Sequence, residues 1–184
     1  MDGIATARLT LEPQVAAHAE EMFAVLSDPA IYAYENEPPL SVEWLRERFA
    51  RLESRQSPAG GERWLNWVIR LPSSGLIGFV QATVFTEGRA AVAYVLGSRH
   101  WGKGYASEAV QAVSRELAAR YRVHTLSAVL KRQNAPSVRL LERLGFTLAS
   151  REMHAHCGAE ADELVMVQSA GVFEAGMVPV PSEA

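Results

Sequence analysis

The segment Tyr94-Val-Leu-Gly-Ser-Arg-His-Trp-Gly-Lys-Gly-Tyr-Ala106 is where this sequence gathers residue types that could hold an anion. An apolar run enters a turn containing Gly102 and Gly104, and a helical apolar pattern starts directly afterwards. Glycine has no Cβ, so such a turn can aim successive backbone N–H groups at one point. A helix that follows adds its unpaired first-turn N–H groups and the positive end of its dipole. A pyrophosphate suits that cradle. Arg99 and Lys103 can add charge-assisted contacts, or can stand as solvated loop cations. Two common phosphate motifs are excluded. Gly104 follows Lys103 where a P-loop needs Ser or Thr, and the strand before the turn closes an antiparallel meander instead of opening a parallel dinucleotide-binding unit.

Other residues with chemical capacity lie further off. Glu35 and Glu37 fall in the stretch from Ile31 to Leu40, which carries two tyrosines and Pro38-Pro39. Such carboxylates can take a proton, attract a cationic amine or simply face solvent. His154 and His156 alternate along what the pattern predicts as a strand, which would put both on one sheet face. With no convincing third ligand they do not make a metal site. Cys157 is the sole cysteine, so no internal disulfide forms, in keeping with a reducing compartment. Trp44, Trp64 and Trp67 read as packing residues, while Trp101 stands apart because it lies inside the glycine-containing turn.

The elements that must position these residues alternate between helical and extended, which predicts an α/β (α+β mixed) class. Arg8 to Glu12 reads as a short strand. Ala19, Met22, Phe23 and Leu26 then repeat at helical spacing until Asp28-Pro29 stops the helix. Ser41 is the predicted N-cap of a second helix, with Leu45, Phe49 and Leu52 on its apolar face. Trp64–Leu71, Leu76–Phe85 and Arg89–Leu96 form a predicted three-stranded meander with short turns. A helix follows Gly104 to about Tyr121, then a strand over Thr125–Leu130 and a helix from Asn134 to Leu144, closed by Gly145. Phe146–His154 and Glu163–Gln168 are predicted as the last two strands. Residues 1–169 read as a single domain, and 170–184, with two prolines and two glycines, as a frayed or docked tail.

Composition narrows the classes. The 184 residues are 48% hydrophobic with a net charge of −3, enough for one core. No run of like charge recruits nucleic acid or a membrane surface, and no apolar stretch is long enough to span a bilayer. The expectation is a cytoplasmic protein, monomer or homodimer, with no nucleic-acid or membrane partner.

Arg99-x-x-Gly102-x-Gly104-Tyr105-Ala106 after a strand resembles the acetyl-CoA signature of the GNAT superfamily of N-acetyltransferases. Asn134-Ala-Pro-Ser137 with Leu140-Leu-Glu-Arg-Leu-Gly-Phe146 is similar to the second block of the same family, and Arg8-Leu-Thr-Leu-Glu-Pro13 and Leu26-Ser-Asp-Pro29 resemble the opening of its RimJ/RimL type. The resemblance covers Arg8 to about Val167. It implies a mostly antiparallel, splayed sheet of six to seven strands flanked by about four helices. It also implies direct transfer of acetyl from acetyl-CoA, with no metal, to a primary amine. That amine would be a protein N-terminus or a small molecule such as a polyamine, amino acid or aminoglycoside; a CoA-binding module without catalysis is the third reading.

Residue by residue, the resemblance assigns the acetyl and pantetheine contacts to the backbone of Val95 and Leu96. It assigns the pyrophosphate to the stretch Arg99, His100, Trp101, Gly102, Lys103, Gly104, Tyr105 and Ala106, and the pantetheine arm to Asn134. Ser137 would donate to the leaving thiolate, or else serve only as a first-turn serine. Relatives carry a Glu on the strand before the loop where this chain has Ala91, so the base role falls to Glu35, Glu37 or ordered water.

Overall fold

The computed structural model describes residues 1–34 and 37–169. Five α-helices and eight strands appear among them: β1 (Ile4–Ala5), β2 (Thr10–Pro13), α1 (Ala19–Leu26), α2 (Val42–Leu52), β3 (Arg63–Leu71), β4 (Gly75–Val84), β5 (Arg89–Leu96), α3 (Tyr105–Tyr121), β6 (Thr125–Lys131), α4 (Ala135–Arg143), β7 (Thr147–Leu148), α5 (Arg151–His156) and β8 (Glu163–Ser169). The strands form one sheet in the order β1-β2-β3-β4-β5-β6-β8-β7. All neighbours are antiparallel except β5 and β6. The mixed class holds. The strand count exceeds the expected six to seven because β1 and β7 are two-residue strands.

Local chemistry accounts for the elements. Ser41 Oγ accepts from the Trp44 N–H and starts α2, while Asp28 Oδ1 accepts from the Ala30 N–H and turns the chain into a 3-10 segment after α1. Asn134 caps α4 by accepting from Ser137 N at 3.2 Å. The sheet then separates two apolar layers. Leu65, Trp67, Ile69, Val80 and Val92 pack with α3 and α4 on one face, and Val68 and Leu76 pack with Met22, Leu45 and Phe49 of α1 and α2 on the other. Burial of these side chains, each contributing roughly 1.5–3 kcal/mol, is the main stabilising term.

One predicted element is wrong. Phe146–His154 is not a continuous strand: β7 ends at Leu148, and His154 and His156 lie on α5. Ser150 Oγ accepts from Met153 N, and the good helix formers Arg151, Glu152 and Met153 follow, so the N-cap and propensity outweigh the short alternation. Two residues apart on a helix, the histidines point away from one another. His154 Nε2 lies 3.3 Å from the Glu163 carbonyl and His156 Nε2 2.7 Å from Arg89 Nη1. The tail at 170–184 lies outside the described residues.

β4 carries an irregularity at Ile77, where pairing with β3 moves from Gly78 opposite Ile69 to Leu76 opposite Arg70. Immediately beside it, Gly78 faces β5 so closely that a Cβ would land on the Val95 carbonyl oxygen and within 2.9 Å of Leu96 Cα. Gly78→Ala is therefore expected to cost about 1–3 kcal/mol in urea unfolding. Gly61→Ala, where a Cβ meets nothing within 4 Å, is expected to leave stability within about 0.5 kcal/mol.

Candidate functional site

The site begins where two strands part. β5 and β6 pair in parallel only over Arg89 with Thr125, Ala90 with Leu126 and Ala91 with Ser127. β5 continues against β4 to Leu96, and β6 continues against β8 to Lys131. Phe85 N donates to Arg89 O at one end of the β4–β5 ladder and Gly97 N to Ile77 O at the other. Backbone groups alternate along an antiparallel ladder. Arg89, Ala91, Ala93 and Val95 therefore turn theirs to β4, and Val92, Tyr94 and Leu96 turn theirs to the gap. This corrects the expectation for Val95, whose peptide groups face β4; Tyr94 and Leu96 present the edge at that level. The Leu96 carbonyl already accepts from Trp101 Nε1 at 2.8 Å.

Past β5 the chain makes a 3-10 turn over Ser98–His100 and reaches Gly102 and Gly104, whose φ values of 71° and 79° lie in the left-handed region. There glycine is required. Among the described residues, no acceptor meets the backbone N–H groups from Gly102 to Ser107; the first backbone bond in α3 is Glu108 N to Gly104 O. This run of unpaired donors, at the positive end of a 17-residue helix, is an anion cradle. Arg99, Trp101, Gly102, Lys103 and Gly104 are exposed there, and Tyr105 and Ala106 are half-buried. Lys103 Nζ donates to Arg99 O at 2.9 Å.

His100 is different: it is buried against the Tyr105 ring, and burial, then the neighbouring Lys103 and Arg99 charges, push its pKa down. It is a neutral packing residue inside the loop.

The loop is held by residues from distant parts of the chain. Asp28 Oδ2 accepts from Ser98 N at 2.8 Å, and hydrogen bonds from Ser98 and Ala30 hold its carboxyl below the ordinary value. Arg8 donates to Lys103 O at 2.9 Å and to Glu108 Oε2 at 2.6 Å, and its guanidinium lies 4.7 Å from the Tyr105 ring centre. Glu108 Oε1 also accepts from Thr6 Oγ1 and Arg8 N. Burial alone would raise the Glu108 pKa, but the Thr6 and Arg8 bonds outweigh it and hold it low. None of these three side chains is legible as a site residue in the sequence: Asp28 reads as a helix stop and Arg8 as part of a strand, and Glu108 falls inside the helix predicted after Gly104.

Across the gap from β5, Ser137 sits half-buried in the first turn of α4, where its N–H is capped by Asn134. The Tyr94 hydroxyl is buried without a hydrogen-bond partner among the described residues. Burial pushes the phenol up, against smaller opposing effects of the Ser137 hydroxyl and Arg143, so it stays protonated. The structure thus brings Ser137, Asn134, Tyr94 and Leu96 to the two sides of one opening, with the loop from Arg99 to Ala106 at its end.

The Acetyltransferase (GNAT) domain family matches residues 8–147. The chain belongs to the GNAT acetyltransferase family. An uncharacterized N-acetyltransferase, p20 of Bacillus licheniformis, is 30% identical over 149 residues, spanning 79% of this chain and 83% of its own. RimL, a ribosomal α-N-protein acetyltransferase solved in complex with coenzyme A, superposes with a TM-score of 0.75 at 17% identity, over 92% of this chain and 99% of that one. An aminoglycoside acetyltransferase solved with coenzyme A gives 0.71 at 17%, over 91% and 98%. Both share the GNAT fold with this chain, which is an acyltransferase by family.

On the other sheet face, α2 and the sheet bound a cleft of about 710 Å3, lined by Arg48, Arg51, Gln56, Asn66, Gln81 and Thr83 among others. Trp64, expected only to pack, also lines it. Glu37 is exposed, and Glu35 lies outside the described residues. Among the described residues, no three or more of His, Cys, Asp and Glu come together as metal ligands, and no helix of this GNAT domain is long and apolar enough to cross a membrane.

Asp28 and Glu108 test the loop support. Both titrate lower in the folded chain than at their ordinary values of 3.8 and 4.5. Their contribution to stability is therefore complete above those values and is lost as the pH falls through the lower folded ones. Glu108→Ala is expected to cost about 1–3 kcal/mol, to flatten the acid limb of the stability profile, and to speed hydrogen exchange of the amides from Lys103 to Ser107. Unchanged exchange there would remove Glu108 from the support.

Proposed function

We propose that this chain transfers the acetyl group of acetyl-CoA directly to a primary amine, with the coenzyme along the open edge of β5 and the amine entering from the α2 side of the sheet. One observation carries the reading: the unpaired N–H groups from Gly102 to Ser107 stand at the end of the gap where β5 leaves β6. The amides of the loop from Arg99 to Ala106 hold the pyrophosphate, and Arg99 and Lys103 add charge. Tyr94, Leu96 and the amide of Asn134 line the path of the pantetheine. A first candidate acceptor is a protein N-terminus, since Arg8 to Pro13 and Leu26 to Pro29 resemble the opening of the RimJ/RimL type.

In the reaction the amine lone pair attacks the thioester carbonyl carbon, and the carbon–sulfur bond breaks. The sulfur leaves as thiolate, and the amine loses its surplus proton. A backbone N–H of β5 facing the gap polarises the carbonyl. Ser137 donates a hydrogen bond to the departing sulfur, and the protonated Tyr94 phenol beside it can donate one to the Ser137 oxygen in turn. With Ala91 at the usual position of a carboxylate, the amine proton passes to Glu35, to Glu37 or to water.

A thiol-release assay with acetyl-CoA against N-terminal peptides and small amines, run beside calorimetric CoA binding, tests the reading. Turnover on one acceptor class is expected. CoA binding without turnover on any acceptor would favour the module without catalysis. Ser137→Ala is expected to lower kcat about tenfold, ~1.4 kcal/mol, with the acetyl-CoA KM within about twofold. An unaltered kcat would remove Ser137 from the chemistry.

A further inference from the structure

We infer that the acceptor is a primary amine that also carries an anionic group, a carboxylate or a phosphate, held by Arg48 and Arg51 in the cleft between α2 and the sheet. The inference rests on the transfer reading above for the identity of the reacting site, and adds the chemical class of the acceptor.

Charge is the first argument. Among the described residues lining this 710 Å3 cleft, the formal charges are Arg48 and Arg51, and no carboxylate lines it. They are three positions apart on α2 and so share a helix face. Neither makes an ion pair with a carboxylate among the described residues; Arg8, Arg70, Arg89 and Arg120 are the arginines that do. Arg48 lies 5.6 Å from the Trp44 ring centre, a contact that orients a guanidinium without neutralising it. Nearby Arg55 is committed elsewhere, donating to Gln14 O at 3.0 Å. Two forked cations without an ion-pair partner among the described residues match a planar carboxylate or a phosphate.

Position is the second. The cleft floor is neutral and polar, with Asn66, Gln81 and Thr83. Gln81 pairs with Ala93 and Thr83 with Ala91, so their side chains share one face, and the neighbouring strand carries only methyl groups there. Adjacent strands lie about 4.8 Å apart, so a molecule anchored by its anion at Arg48 and Arg51 can extend its amine over Ala93 to the open edge of β5. A polyamine or aminoglycoside would instead meet two like charges. The same two guanidiniums disfavour the ammonium form and so raise the share of neutral amine, the form that attacks.

The test uses matched acceptors in the thiol-release assay: phosphoethanolamine against ethanolamine, an amino acid against its amide, and a peptide with Glu and Asp after its first residue against one with Lys. The anionic member is expected to exceed its partner at least tenfold in kcat/KM, and the pair with the largest ratio separates a peptide from a small-molecule source. In the double variant Arg48→Glu, Arg51→Glu, the preference is expected to fall at least tenfold or invert, with CoA affinity unchanged because both residues are exposed and lie on the opposite sheet face from Ser137 and Tyr94. Faster turnover of the neutral or cationic partners, or a double variant that keeps the preference, would overturn the inference while leaving acetyl transfer intact. If no acceptor turns over, calorimetry of the same pairs with the CoA-loaded protein decides. Tighter binding of the anionic members, lost in the double variant, supports the assigned cleft, and equal binding overturns it.

Discussion

Backbone N–H and C=O groups need partners, and a strand that leaves its neighbour must find others or offer them to a ligand. β5 meets β6 only from Arg89 to Ala91 and then runs on to Leu96 with that edge open. It stays extended because its other edge remains paired to β4 from Ala90 to Leu96. Its side chains also enter apolar layers on both faces: Val92 and Leu96 on the α3 side, Val95 on the α1 side. Gly78 allows the close approach that keeps this pairing tight where the loop begins. The opening is a fixed feature of the sheet, and both the donor-rich loop and Ser137 are placed by it.

The loop beyond the opening is held without using up its donors. Arg8 binds the Lys103 carbonyl, Asp28 binds Ser98 N, and Trp101 binds the Leu96 carbonyl. These contacts leave the N–H groups from Gly102 to Ser107 unspent. Holding a loop by its carbonyls and flanks while sparing its amides gives a preorganised anion site, so little ordering cost remains when a ligand arrives. Arg8, in the bend between β1 and β2, and Glu108 of α3 are 100 positions apart in sequence.

Net charge says little about such a surface. The chain is acidic overall, yet several of its carboxylates are engaged: Glu12 and Glu21 with Arg70, Glu108 with Arg8, and Glu160, Asp162 and Glu163 with Lys131. Arg48 and Arg51 in the cleft, and Arg99 and Lys103 in the loop, have no such ion-pair partner among the described residues. These four cations stand on the two sides of the opening, where an anionic coenzyme and an anionic acceptor would lie.

Local rules made much of the fold legible. Ser41 and Asn134 cap their helices, Gly102 and Gly104 take left-handed φ values, and the meander from Arg63 to Leu96 follows its turn residues, because each of these depends on neighbours a few positions away. The segment around His154 is helical against its alternating pattern, since a short alternating run is also compatible with a capped helix, and Ser150 caps this one. The sequence by itself determined the class, the donor-rich loop and the family resemblance. Tertiary structure alone decided which β5 residues face the gap, that Asp28, Arg8 and Glu108 support the loop, and that Arg48 and Arg51 share a cleft with Gln81. Strand pairing and long-range packing bring those groups together, and neither leaves a periodic mark on the chain.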